Sequence, residues 1–125
     1  MTVSKTLNIT FLIHAIVSFL GGLLLLIIPG RTLLFFNWAP IDPILSRILG
    51  AALLALGWSS FRGWQATKWA QVQIVVELEA AFTALACVSL LRHLLFAHYP
   101  LMVWLLFAVF FIFAVAWIVF LIGRE

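Results

Sequence analysis

Four apolar stretches, each long enough to cross a bilayer as an α-helix, limit the folds open to this chain more than any other feature of its sequence. They cover residues 7–28, 44–61, 69–96 and 101–122, and about 20 residues are needed to span the hydrocarbon core. Because 66% of the 125 residues are hydrophobic and 9% are charged, so short a chain cannot bury its apolar surface in a core of its own. The sequence predicts an all-α fold, with residues 1–125 forming a single domain of four transmembrane helices.

The connector after the first stretch predicts a short helix lying in the membrane interface. Pro29 and Gly30 are expected to end the first span, since this pair commonly ends helices. The connector is too apolar for a solvated loop and too short to span, so we expect an interfacial helix over Leu33–Trp38. The alternative is that it packs over the end of the bundle. Asp42 and Pro43 are typical of a helix start and predict the beginning of the second span.

The seven Lys and Arg residues are scattered singly along the chain. Nucleic-acid binding needs a concentrated basic patch, and a polybasic lipid switch needs roughly four to eight clustered charges. We therefore interpret the basic residues as anchors at helix ends. The face that carries both termini has one more of them than the opposite face, which favours both termini in the cytoplasm. We separately expect the membrane to be a prokaryotic cytoplasmic membrane. They are Lys5, Arg62, Lys68 and Arg124 on the first face, and Arg31, Arg47 and Arg92 on the second.

Three ionisable side chains are predicted to lie at similar depths within the membrane. At a rise of about 1.5 Å per residue, His14 lies about 10 Å from the face with the termini, Glu77 about 12 Å and Glu79 about 15 Å. An ionisable group inside a bilayer is costly and is by default a candidate functional residue. We predict that His14 pairs with Glu77 in a polar pocket, with Gln73 one turn before Glu77 on the same face. Glu79 then points toward another helix, a partner subunit or lipid.

Three roles remain open for these four residues. Glu and His side chains can join two helices by a hydrogen bond, which averages roughly 0.6 kcal/mol in membranes. They can bind a ligand or carry a proton, as carboxylates do in proton-coupled transporters. They can also contact another subunit, and Thr83, one turn after Glu79, would support such a contact.

Basic and small residues predict two further features. An anionic lipid headgroup held by Arg31, Arg47 and Arg92 is one interpretation of these arginines, and simple anchoring is the alternative. Small residues in the first two spans permit helices to approach closely, and they predict packing. They are Gly21 and Gly22 in the first span, and Gly50, Ala51, Ala55 and Gly57 in the second.

Motifs for catalysis or for metal binding are absent from the sequence. It contains no Gly-rich phosphate loop, HExxH, Cys-x-x-Cys or nucleophile elbow, so we expect no enzymatic activity. Cys87 is the only cysteine and can form no internal disulfide. We predict no cofactor. A pigment or porphyrin would depend on His14 and on the phenylalanines of the fourth stretch, and contact with lipid tails accounts for those phenylalanines equally well.

A few short motifs give the chain a family resemblance. Pro29-Gly30-Arg31 closes the first stretch, Asp42-Pro43 opens the second, and Arg47-Ile48-Leu49-Gly50 follows, with Gly57 one heptad later. In this layout the chain resembles small four-helix membrane proteins of bacteria and archaea, and it is similar to DoxX-like proteins, which also carry an Arg near a small-residue second span. The resemblance implies a four-helix membrane fold and no particular activity.

Three classes of function are compatible with the sequence. We favour a non-catalytic accessory or structural subunit of a larger membrane assembly, because the loops are minimal and the fourth stretch is apolar all round. An oligomeric proton-coupled transporter or channel for small molecules would instead use His14 and the two glutamates. A pigment- or lipid-binding membrane module is the third class. The expected partners are the lipid bilayer and either other membrane subunits or further copies of the chain, with no nucleic acid.

Overall fold

The computed structural model describes residues 2–35, 42–98 and 101–123, and nearly all of them are helical. The helices are α1 (Lys5–Ile27), α2 (Pro29–Phe35), α3 (Pro43–Gln65), α4 (Trp69–Phe96) and α5 (Leu101–Gly123). All except α2 are long and apolar enough to cross a membrane. The predicted all-α class and its four helices of spanning length are therefore confirmed, and the chain has the character of a membrane protein.

The short helix between the first two spans begins earlier than the sequence suggested. Pro29 starts α2 instead of opening a loop, because proline suits the first turn of a helix, where its missing N–H needs no acceptor. Thr32 fastens this turn, since both its amide and its hydroxyl donate to the carbonyl oxygen of Ile28, at 3.0 and 2.8 Å. The helix predicted over Leu33–Trp38 overlaps α2 only in part, and Trp38 and Arg124 lie outside the described residues.

The second long helix begins where the sequence predicted and ends later. The Asp42 carboxylate accepts hydrogen bonds from the amides of Ile44 (3.0 Å) and Leu45 (3.1 Å), so it caps the N-terminus of α3. At the other end α3 continues through Arg62 to Gln65. A charged residue ends an apolar run in the sequence without ending a helix, and a cation in the last turn is favourable there.

The helical chain divides into two compact units. The first, here called the α1–α3 unit, is Asn8–Gln65, and the second, the α4–α5 unit, is Met1–Leu7 together with Ala66–Glu125. The first residues of α1 thus belong to the second unit.

Glycines bring α1 and α3 into backbone contact within the α1–α3 unit. A Cβ atom added to Gly22 would lie 2.8 Å from the carbonyl oxygen of Gly50, and a Cβ added to Gly50 would lie 2.8 Å from that of Gly22. Further along the pair, Gly57 lies against Phe19, and Gly63 lies against the ring of Phe11. The predicted close packing is therefore present at glycines 22, 50 and 57. Ala51 and Ala55, by contrast, are exposed.

The α4–α5 unit is a helical hairpin with a short N-terminal segment against its start. Phe82 of α4 and Phe110 of α5 meet edge to face, with ring centroids 5.8 Å apart. The amide of Val3 donates to the carbonyl oxygen of Thr67 at 2.9 Å. The side-chain oxygen of Gln71 accepts from the amides of Thr67 and Lys68, each at 3.1 Å, and so satisfies donors at the start of α4.

Candidate functional site

Two polar side chains lie exposed on the outer surface of α4. Gln73 and Glu77 are one turn apart, and the Gln73 amide nitrogen donates to the Glu77 carboxylate at 3.2 Å. The i, i+4 spacing places them side by side on one face of the helix. Their neighbours on the same surface are apolar, and Ile74 is 78% exposed. The two residues thus form a polar patch on an otherwise apolar surface.

Glu79 differs from Glu77 in its surroundings, although the two are only two residues apart. Glu79 is fully buried, and Glu77 is exposed. Thr83 follows one turn later, is buried as well, and donates from its hydroxyl to the backbone carbonyl oxygen of Glu79 at 2.7 Å. From the sequence, Glu77 was expected to face a polar pocket with His14; the structure shows Glu77 exposed and Glu79 buried, and the pocket itself stays a prediction. The alternation of the two side chains was correct, since residues two apart cannot share a helix face.

His14 is buried in α1 and has a hydrogen-bonding neighbour on α3. Its Nδ1 atom lies 2.7 Å from the hydroxyl oxygen of Ser60, which is itself fully buried. Ser18, one turn after His14, donates to the carbonyl oxygen of Leu53 at 2.5 Å. The side-chain amide of Asn8 donates to the carbonyl oxygen of Trp64. These contacts join α1 to α3 at three levels, so the polar residues of α1 act as helix-to-helix links.

Ser60 is a buried polar residue that was not among the candidates predicted from the sequence. It shares a helix face with Gly57 and Gly63, at i, i+3 spacing on either side, and all three are buried. That spacing of small residues was visible in the sequence and marks the surface of α3 that meets α1. The predicted pairing of His14 with Glu77 comes from depth along the two helices alone, and it stays a prediction. Depth along two helices does not determine which faces meet.

The four candidate polar residues are divided between the two units. His14 belongs to the α1–α3 unit, and Gln73, Glu77 and Glu79 belong to the α4–α5 unit. Within its own unit, His14 contacts Ser60, and Glu77 accepts from Gln73. A ligand-binding or proton-carrying role for these residues remains a prediction.

The three arginines predicted to hold a lipid headgroup are all exposed in the structure. Arg31 lies in α2 and Arg47 in the first turns of α3, both in the α1–α3 unit, while Arg92 lies near the end of α4. Arg92 lines an open surface groove together with His93, Phe96 and Ala97. A headgroup bound by all three arginines stays a prediction. In the described residues, no three His, Cys, Asp or Glu side chains form a group suited to a metal ion.

The His14–Ser60 contact is expected to contribute a small, measurable part of the stability. Ser60→Ala should lower the free energy of unfolding by roughly 0.6 kcal/mol, the average for such a bond between membrane helices. A double-mutant cycle with His14→Ala should return a coupling energy of the same size, measured by denaturation in mixed detergent micelles. Ser59→Ala is the matched control, because the Ser59 hydroxyl donates to Leu56 of its own helix. Equal coupling of His14 to Ser59 and to Ser60 would contradict the assignment.

No protein-family model, curated protein or solved structure matches the chain. The resemblance to DoxX-like proteins, which depends on the motifs of the first two spans, stays a prediction.

Proposed function

We propose that this chain is a non-catalytic structural or accessory subunit of a larger membrane assembly. The proposal includes insertion of α1, α3, α4 and α5 across the bilayer, as expected in a prokaryotic cytoplasmic membrane with both termini on the cytoplasmic side. It also includes the DoxX-like layout of the first two spans, which carries no activity with it. The function of the chain is then to stabilise that assembly or to arrange its subunits.

The wide apolar surface of the helices supports the membrane part of the proposal. Large apolar side chains are exposed along all four long helices, among them Ile74 of α4 and Ile122 of α5, at 78% and 79%. A soluble monomer rarely exposes contiguous apolar patches of more than a few hundred Å². Lipid tails are a favourable solvent for such a surface, and the helices satisfy their own backbone hydrogen bonds as lipid requires.

The single observation that carries the proposal is the exposure of the Gln73–Glu77 patch within a helix of spanning length. A charged side chain at the centre of a membrane helix costs about 2.5–3.5 kcal/mol on insertion scales. Such residues almost always face protein or a water-filled cavity. A patch on the outer surface of α4 therefore favours a neighbouring protein helix over lipid. The polar residues of α1, by contrast, link it to α3, as a structural role requires.

The composition of the particle in its own membrane tests this function. Protein extracted in mild detergent and analysed by native mass spectrometry should contain unrelated subunits in fixed stoichiometry with this chain. Tagging one of those subunits should recover this chain in the same ratio, and membranes without this chain should yield a smaller or less stable particle. A particle built of this chain alone would contradict the accessory role.

Proton-coupled transport by an oligomer is the second candidate, and the full burial of Glu79 favours it. A buried carboxylic acid in a membrane helix is the kind of group that carries protons in transporters. The same experiment separates the two candidates. A small, colourless oligomer of this chain alone would favour transport, whereas unrelated subunits in fixed ratio favour the accessory role.

A further inference from the structure

One face of α4 combines hydrogen-bonding groups with small side chains. Ala70, Gln73, Glu77 and Ala81 are all exposed. They lie within about 45° of their mean direction around the helix axis, because 3.6 residues make one turn. We call this set the Glu77 face. Leu78, about 100° away from Glu77, is exposed on the adjoining apolar surface.

We propose that the Glu77 face is the contact surface between two copies of this chain, packed in parallel about a twofold axis normal to the membrane. The proposal rests on the proposed function in one respect, since both require protein to cover this face. It goes further by naming the occupant, a second copy.

Hydrogen-bond complementarity points to a second copy. In a twofold interface, if residue i of one chain contacts residue j of the other, then j also contacts i. Two parallel helices bring each residue close to the partner residues one turn away, as in a coiled coil. Gln73 and Glu77 are one turn apart, so the amide of each copy meets the carboxylate of the other. Each pair then supplies one donor and one acceptor, and both contacts form at once.

The small residues of the face make the required approach possible. Ala70 and Ala81 lie one turn before and one turn after the polar pair, so no bulky side chain holds two such helices apart at these levels. Small residues at membrane helix interfaces permit backbones to approach closely, and amide and carboxyl groups then hydrogen-bond across the interface. Gln73 keeps a second N–H for this purpose, because it donates one to Glu77 of its own chain.

Disulfide cross-linking in native membranes tests the proposal. In a Cys87→Ser background, Ala81→Cys places one thiol on the Glu77 face, and Leu78→Cys places one within a turn of it on the adjoining surface. With Cu(II)-phenanthroline as oxidant, the Ala81→Cys protein should form covalent dimers at least fivefold faster than the Leu78→Cys protein. A disulfide requires Cβ atoms about 3.5–4.5 Å apart. The difference between the two cross-linking rates therefore shows which surface of α4 faces the second copy.

Substitutions of the polar pair complete the test. Gln73→Leu with Glu77→Leu should lower the Ala81→Cys cross-linking rate at least fivefold, whereas Glu77→Gln, which still offers a donor and an acceptor, should retain most of it. An unchanged melting temperature in detergent shows that the leucine variant remains folded.

Equal cross-linking rates at positions 78 and 81, or a cross-linking rate that the leucine pair does not change, would overturn the second-copy proposal. If unrelated subunits still co-purify in that case, the accessory function stands and a foreign helix occupies the face. If this chain forms dimers in a particle that contains no other subunits, the second-copy proposal stands and the accessory function is contradicted.

Discussion

Gly50→Ala is expected to lower the free energy of unfolding by about 2 kcal/mol, within the range for overpacking a close contact. The new methyl carbon would lie 2.7 Å from the backbone nitrogen of Leu26 and 2.8 Å from the carbonyl oxygen of Gly22. Both are backbone atoms of α1, so no side-chain rotation can relieve the clash, and the two helices must separate. Denaturation of the whole chain in mixed detergent micelles, followed by circular dichroism, measures the loss.

Gly21→Ala is the matched control for this contact. Gly21 lies next to Gly22 on α1, and its nearest neighbour for an added Cβ is a side-chain carbon of Leu53, at an ordinary 3.8 Å. Alanine is the better helix former by about 1 kcal/mol, so this variant should be as stable as the wild type or more so. Equal losses from Gly21→Ala and Gly50→Ala would contradict a backbone contact at Gly22 and Gly50.

Trp117→Ala is expected to lower the free energy of unfolding by roughly 2–3 kcal/mol. Trp117 of α5 is fully buried and lies with its ring centroid 6.4 Å from that of Phe120. In water-soluble cores the loss of a large aromatic side chain costs about 3–5 kcal/mol. The expected value is lower because the apolar interior of a detergent micelle removes the water-transfer part of that cost and leaves the lost packing contacts. The same micelle titration measures it.

Trp104→Ala is the control, since it removes the same side chain from the same helix at a position that is 42% exposed. It should cost less than half as much, because lipid or detergent takes over the contacts of the exposed ring. Equal losses at the two tryptophans would show that Trp117 is no more closely packed than a surface residue.

The two glutamates of α4 differ in burial, and they are therefore candidates for different functions. Their sequence context is almost the same, yet Glu79 is fully buried and Glu77 is exposed beside Gln73. The first is the candidate for proton chemistry, and the second is the candidate for contact with a neighbouring chain. The two hypotheses can therefore be tested separately, by changing one residue at a time.

The sequence predicted the helices well and their ends less well. Long apolar runs predicted α1, α3, α4 and α5, and Asp42-Pro43 predicted the start of α3, because the capping chemistry is local. The end of α3 was predicted four residues too early, since Arg62 interrupts the apolar run and leaves the helix intact. The composition of a segment indicates whether it prefers lipid or water. A charged residue near a helix end changes that preference without ending the helix.

By itself, then, the sequence determined the class of fold, the number of helices with spanning length, and the alternation of Glu77 and Glu79 around α4. Each of these follows from properties within one segment: length, apolar character and the helical repeat. Only the tertiary structure decided that His14 meets Ser60, that Gly22 and Gly50 bring two backbones together, and that Glu79 is the buried carboxylate. These depend on the rotation of one helix relative to its neighbour, which is set by side-chain packing between segments far apart in the chain. A nearly uniform apolar sequence leaves that rotation open.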